Sequence, residues 1–121
     1  EGVRKTYYRT GRPQEESYFE NGKKQGISKW FNQEGNMIAE YYYEDGKFEG
    51  LQKTYYQDGS LRKEEYYVNN EKNGPYKEYF ESGELMIEGE FRNNLKHGVW
   101  IEYDKSGNVV SEKKFKKGEE K

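Results

Sequence analysis

Leu51-Gln52-Lys53-Thr54-Tyr55-Tyr56-Gln57-Asp58-Gly59-Ser60-Leu61-Arg62-Lys63-Glu64-Glu65-Tyr66-Tyr67 reads as one β-hairpin. Its first six residues are rich in strand formers, Asp58-Gly59 is the strongest short hairpin signal, and Leu61 to Tyr67 supplies the returning strand. The same chemistry recurs at a fixed interval on both sides. Gly2, Gly26, Gly50, Gly74 and Gly98 stand 24 residues apart, and so do Gly11, Gly35, Gly59, Gly83 and Gly107. A constant period in this range marks an array in which each unit packs mainly on its neighbours. Five units, 2–25, 26–49, 50–73, 74–97 and 98–121, make residues 1–121 a single repeat domain.

The other units offer first turns at Thr10-Gly11, Glu34-Gly35, Ser82-Gly83 and Ser106-Gly107, where glycine reaches positive φ without a steric penalty. A second turn joins each unit to the next through Asn21-Gly22, Asp45-Gly46, Asn69-Asn70 and Asn93-Asn94, pairs that tolerate the left-handed conformation. The chain is therefore expected to be all-β: an open, single-layer antiparallel meander of five hairpins and ten strands. Strands about 4.8 Å apart would give a ribbon roughly 45 Å long. No helix is expected, because no segment places apolar residues three or four apart and glycine interrupts every dozen residues.

A two-residue first turn sets Lys5 opposite Glu16, Lys29 opposite Glu40, Lys53 opposite Glu64 and Lys77 opposite Glu88, with Ile101 opposite Glu112 as the exception. Four cross-strand ion pairs are thus expected, each worth about 0.2 to 1 kcal/mol. That turn places Tyr7, Phe31, Tyr55, Tyr79 and Tyr103 on one face with Val3, Ile27, Leu51, Pro75 and Val99. It places Met37, Leu61, Leu85 and Val109 on the other, with Phe19, Tyr43, Tyr67, Phe91 and Phe115. A slip of one residue exchanges the faces. The end units look managed against edge-to-edge pairing: Lys113, Lys114, Lys116 and Lys117 load the last strand, and Pro13 stands where other units have Met, Leu or Val.

Composition bounds the function. Apolar residues make up 31% and charged residues 36%, too lean for a thick core, yet thirteen Tyr, six Phe and two Trp suit a thin sheet of half-buried side chains. The net charge of −2 predicts no affinity for nucleic acid, and the absence of Cys excludes disulfides and thiolate metal sites. No stretch approaches the apolar run of about 20 residues that a membrane helix requires. The chain opens at Glu1 without an initiator Met, which suggests processing or trimming and leaves the compartment unread.

An aromatic strand, an Asp-Gly or Ser-Gly turn, a returning strand with Glu and an aromatic, then Asn-Gly-Lys and a closing Gly form the repeated pattern. It is fullest in Phe91-Arg92-Asn93-Asn94-Leu95-Lys96-His97-Gly98-Val99-Trp100-Ile101-Glu102-Tyr103 and in Tyr18-Phe19-Glu20-Asn21-Gly22-Lys23-Lys24-Gln25-Gly26. This pattern resembles the MORN variant repeats over essentially the whole chain. The resemblance implies a β-hairpin solenoid ribbon. It implies for function a bacterial antitoxin-like or exported binding protein, a scaffold, a dimer, or a binder of lipid headgroups. Asn70 and Asn94 depart from the second-turn glycine, and the family motif defines no functional residue.

Chemical sites are scarce. The column Glu16, Glu40, Glu64, Glu88 and Glu112 repeats every second strand, roughly 9 to 10 Å, and faces lysine in four units, so it reads as register control rather than acid–base machinery. His97, the only histidine, sits where other units carry Gln25, Glu49 and Asn73 and reads as a loop residue. That leaves Ser17, Ser28, Ser60, Ser82, Ser106 and Ser111 without a base, and Gly22-Lys23-Lys24 and Gly46-Lys47 read as turns, not phosphate loops.

No catalytic, cofactor-binding or metal-binding residue is expected. Positions recurring in every unit read as holding the units together, and varying rows read as free to serve a partner. Those rows are Arg4, Ser28, Gln52, Tyr76, Trp100; then Thr6, Trp30, Thr54, Glu78, Glu102; then Tyr8, Asn32, Tyr56, Phe80, Asp104. The expectation is a non-enzymatic protein-interaction module with Trp30, Tyr56, Tyr76, Phe80 and Trp100 as anchors. Its rivals are a membrane-surface binder, against which the interspersed charges argue, and a spacer or homodimer paired through an edge or a face.

Overall fold

A computed structural model describes residues 1–121. The first unit holds β1 (Gly2–Tyr7), β2 (Pro13–Glu20) and the two-residue β3 (Lys23–Lys24). The second repeats this as β4 (Gly26–Phe31), β5 (Met37–Glu44) and β6 (Lys47–Phe48). Next come β7 (Gly50–Tyr55), β8 (Leu61–Val68), and β9 (Glu71–Tyr79), which runs unbroken into the fourth unit. The fourth and fifth units contain β10 (Leu85–Arg92), β11 (Leu95–Tyr103), β12 (Val109–Lys116) and β13 (Glu119–Glu120). Neighbours pair in the order β1-β2-β4-β5-β7-β8-β9-β10-β11-β12-β13, with β3 on β2 and β6 on β5, so the chain is one open antiparallel sheet without a helix. The ten expected strands are all there. The short pieces β3, β6 and β13 extend the pairing directly after each second turn.

Those second turns carry positive φ at both central residues, the signature of a type I′ turn: 54° and 77° at Asn21-Gly22, 50° and 69° at Asn69-Asn70. Asn70 and Asn94 replace glycine and add hydrogen bonds. The Phe48 N–H donates to Asn70 Oδ1 and the Lys72 N–H to Asn94 Oδ1, both at 2.8 Å, while the two Asn amides donate back to the same residues' carbonyls at 3.0 and 2.9 Å. Each turn thereby docks on the unit before it. A fifth such turn, Lys117 (52°) and Gly118 (83°), corrects the reading of Lys117 as part of the last strand.

The first turns contain three residues, not two. Tyr8 N–H donates to Arg12 O at 2.9 Å and Gly11 N–H to Tyr8 O at 3.0 Å, and Gly11 sits at φ 93°, the pattern of a type I turn closed by a left-handed glycine. A β-bulge follows in every hairpin, beside Thr6/Tyr7, Trp30/Phe31, Thr54/Tyr55, Leu85/Ile87 and Glu102/Tyr103. The extra residue restores the expected pairing beyond it: Lys5↔Glu16, Lys29↔Glu40, Lys53↔Glu64, Lys77↔Glu88 and Ile101↔Glu112 all hold.

Before the bulge the register differs, and Met37, Leu61, Leu85 and Val109 pair with Phe31, Tyr55, Tyr79 and Tyr103. Cross-strand partners share a face, so these four residues lie opposite to the side expected. The four lysine–glutamate ion pairs are also corrected. The close ion pairs are Lys23–Asp45, Lys24–Glu15, Lys63–Glu65 and Lys72–Glu65, and the Lys–Glu partners of the central row are not among them. Two of those glutamates instead accept from tyrosines a unit further on: Glu64 from Tyr79 at 2.9 Å, and Glu88 from Tyr103.

Pro13 opens β2 and pairs with Tyr7 of the edge strand β1, a strand start being where a missing N–H is tolerated.

Only six residues are buried, and five of them, Ser17, Ser28, Ala39, Gln52 and Trp100, lie on one face. The opposite face leaves Val3 64%, Tyr7 56% and Ile27 51% exposed. The sheet thus has a packed face and an open face.

Candidate functional site

The packed face is organised by the row Ser28, Gln52, Tyr76 and Trp100. Between units the ladder is short: β2 meets β4 only at Glu15↔Trp30 and Glu16↔Lys29, and β5 meets β7 only at Ala39↔Thr54 and Glu40↔Lys53. The row fills the gap that opens beyond. Ser28 Oγ lies 2.7 Å from Ser17 Oγ. The Gln52 amide behaves as a substitute peptide group, accepting from Tyr42 N–H at 2.7 Å and donating to Tyr42 O at 3.0 Å. Trp100 donates its indole N–H to Glu90 O at 3.0 Å and lies flat over Gly89, where an added Cβ would come 2.1 Å from Trp100 Cδ2. The side chains vary because each gap is closed with a different chemistry. Variation along this row thus has a structural cause of its own, and Tyr76 and Trp100 in addition border a groove.

Aromatic rings and cations alternate beside this row. Phe19 pairs with Lys24, Tyr43 with Phe48, and Phe91 with Lys96, so the aromatic ladder of the returning strands is interleaved with the residues that follow each second turn. Lys24 Nζ stands 5.2 Å from the Tyr43 ring and 5.5 Å from the Trp30 ring; Lys72 Nζ is 4.8 Å from Phe91; Lys96 Nζ is 4.8 Å from Trp100 and 4.9 Å from Phe115. Each such contact is worth about 0.5 to 1 kcal/mol at an exposed site. Sequence reasoning misses these cations, and the signal that could have found them is one column of the 24-residue period, lysine at 24, 72 and 96 with Phe48 as the exception.

The rings meet most closely in the last two units. Tyr76 lies 5.5 Å from Phe91 and 5.4 Å from Trp100, and Phe91 and Trp100 are 5.0 Å apart, edge to face. With Phe115 they floor a groove of about 220 Å³ whose rim carries Lys72, Lys96 and Lys113 against Glu102. Lys72 is committed to Glu65 at 3.4 Å, whereas Lys96 and Lys113 make no close ion pair. Arg92, His97, Lys116 and Lys117 gather around Lys96 on the turn side, a cluster of cations flanked by Glu119 opposite Lys116 and Glu90 opposite His97. Burial, followed by a 2.7 Å hydrogen bond to Glu78, raises the Tyr76 phenol above its ordinary value, so it stays a neutral donor at the groove floor.

A second hollow, about 480 Å³, lies in the middle units and includes Trp30, Ala39, Tyr41 and Tyr43. Nearby, Glu15 is held below the usual carboxylate range. Burial opposes this, and the Lys24 and Ser17 hydrogen bonds, both 2.7 Å, outweigh it.

Of the five expected anchors the fold brings together only Tyr76 and Trp100, and Trp100 is just 7% exposed. Trp30 belongs to the other hollow. Tyr56 and Phe80 start first turns: Tyr56 donates to Tyr79 O at 2.5 Å, fastening unit three to unit four, and Phe80 lies beneath Lys105 at 5.7 Å. Tyr8 does the same for Phe31 O at 2.6 Å, and Asn32 for Gln57 O at 2.9 Å. This row joins neighbouring units.

The sequence pattern of a family described as MORN repeat variant matches residues 1–21, 24–45, 48–69, 72–93 and 96–117. No curated protein matches the chain.

Proposed function

Since the chain belongs to the MORN repeat variant family, whose repeats generally serve as protein- or membrane-binding modules, we propose that it is a non-enzymatic module that binds another protein. The groove of Tyr76, Phe91, Trp100 and Phe115 is the binding site. The observation carrying this reading is the pair of ammonium groups without a carboxylate partner, Lys96 stacked on Trp100 and Phe115 and Lys113 beside them, at a ready-made aromatic groove. A floor of fixed rings offers contact area at little entropic cost, and the unpaired cations select a carboxylate beside it. The fitting ligand is an extended acidic segment of a partner protein with an apolar side chain next to Asp or Glu. In an antitoxin-like or exported version of this reading, that segment belongs to a toxin or to an envelope partner.

The test is capture from the native cell on the immobilised chain, beside a Lys96→Glu/Lys113→Glu variant that leaves the floor intact. A protein retained by the first and lost by the second supports the reading; identical retention by both sinks it. Sedimentation with anionic vesicles separates the rival: the cation cluster around Lys96 would carry the chain down with them if a membrane were the target, since each Lys or Arg near the surface contributes about 1 kcal/mol. The protein-binding reading expects the chain in the supernatant.

A further inference from the structure

The open face carries three parallel rows across the first three units. The central row alternates in sign on consecutive strands: Lys5, Glu16, Lys29, Glu40, Lys53, Glu64, each the cross-strand partner of the next. None of the six closes into an ion pair within 4.0 Å. On one side of it runs a row alternating aliphatic and tyrosine, with Val3 64%, Tyr18 40%, Ile27 51% and Tyr66 41% exposed. That row stops at the third unit, where the tyrosine positions become Glu90 and Lys114. On the other side the bulge has brought Phe31↔Met37 and Tyr55↔Leu61 to the same face.

We propose that this face docks a second copy of the chain, sheet on sheet, about a two-fold axis parallel to the strands and midway between β4 and β5. Such an axis lays β1 over β8, β2 over β7 and β4 over β5 of the other copy. Every charge then meets its opposite: Lys5 faces Glu64, Glu16 faces Lys53, and Lys29 faces Glu40. Every aliphatic side chain meets an aromatic one: Val3 faces Tyr66, Leu51 faces Tyr18, and Ile27 faces Tyr42. In the third row Phe31 faces Met37, and Tyr55 faces Pro13. An isologous contact requires this self-complementarity, and an alternating pattern over an even number of strands provides it.

The area is sufficient. Six strands about 4.8 Å apart, with three rows about 6.6 Å apart, present roughly 550 Å² per copy and about 1,100 Å² in all, which clears the lower bound for a specific interface. The packed faces of the two copies then point outward, away from each other. A partner with two acidic segments would meet a bivalent surface.

Sedimentation equilibrium of the full chain over a dilution series, in low salt, tests the inference. The wild type is expected to dissociate reversibly from dimer to monomer. Lys29→Glu and Glu40→Lys should each weaken self-association by more than about tenfold, because each sets like charges against each other twice across the axis. In an equimolar mixture of the two variants, the carboxylate introduced at position 29 of one chain meets the ammonium introduced at position 40 of the other. The unsubstituted Glu40 and Lys29 still face each other, so the mixture should recover the dimer mass as a heterodimer. Recovery on mixing is the decisive reading, because each substitution also disturbs its own hairpin and such damage is not repaired by another chain. A wild type that is monomeric throughout, a dimer indifferent to both substitutions, or a mixture that stays monomeric each overturns the proposal. Lys96→Glu/Lys113→Glu should leave the dimer untouched, so this inference and the groove reading fail separately.

Discussion

A single methyl group at Gly89 tests how the packed face is closed. Its Cβ would lie 2.1 Å from Trp100 Cδ2, so the indole must leave its seat and give up the hydrogen bond to Glu90 O. Gly89→Ala should cost about 1 to 3 kcal/mol, as overpacking does, and shift tryptophan emission to the red while the Trp30 contribution stays put. A stable variant with unchanged emission would show that the seat is not tight. Lys117 is the converse case. It holds φ 52° in a turn position where the other units use Asn or Asp, and a left-handed conformation costs an ordinary side chain about 1 to 2 kcal/mol. Lys117→Asn should therefore slow amide exchange in β13 against β12; unaltered exchange would mean that the turn carries no strain. Glu15 provides the acid limit. Its folded value is lowered, so its contribution is fully present above its unfolded value of about 4.5 and is lost as pH falls through the folded one. Glu15→Gln should be less stable than the wild type at neutral pH, and the gap should narrow as the pH drops through that window. A gap that stays constant with pH would show that Lys24 and Ser17 do not recognise the charge.

At the scale of the hairpin, the first three units are each fastened to the next by a hydroxyl or amide group placed just before the first turn, on Tyr8, Asn32 and Tyr56. Tyr56→Phe keeps the ring and removes the donor to Tyr79 O, so unit four should loosen by about 1 kcal/mol, seen as faster exchange in β9 and β10 with β1 and β2 unaffected. Exchange rising evenly along the chain would speak against nearest-neighbour coupling. Tyr79 has an alkaline signature. Burial and its hydrogen bond to Glu64 push its phenol up to about 12. The fold thus prefers the protonated form, and the stability it contributes is complete below about pH 10 and drains away as pH rises toward about 12. Phenolate absorbance should show a late class of tyrosines, smaller by one in Tyr79→Phe. Much of the hairpin was legible: Asn21-Gly22 and Asp58-Gly59 announce turns, and the Lys–Glu register follows from their spacing. The faces were not. Asp58-Gly59 reads as a two-residue loop, and the true three-residue loop plus bulge yields the same pairing at Lys53↔Glu64 while reversing the side taken by Leu61. Two errors cancel beyond the bulge and not before it.

For the molecule as a whole, the period of 24 decided the architecture because glycine and asparagine mark both turns of every unit. The division of the sheet into a packed and an open face lay beyond the sequence. Ser28, Gln52, Tyr76 and Trp100 look like a variable surface until the shortened inter-unit ladder shows the gap they close. Lys72 and Lys96 look like ordinary solvated lysines until the turn folds them over Phe91 and Trp100. With so few residues buried, the difference between the faces is the chief asymmetry of the structure, and both the groove and the self-complementary surface depend on it. Val99 and Trp100 are consecutive in β11 and lie outside the three units of the self-complementary surface, yet they are 40% and 7% exposed. Attenuation of their NMR signals by a soluble paramagnetic agent reads this difference directly. A two-faced sheet requires that the Val99 methyls, with those of Val109, be strongly attenuated while the Trp100 indole and the Ala39 methyl are spared. Equal attenuation of Val99 and Trp100 would mean that the sheet has no packed face.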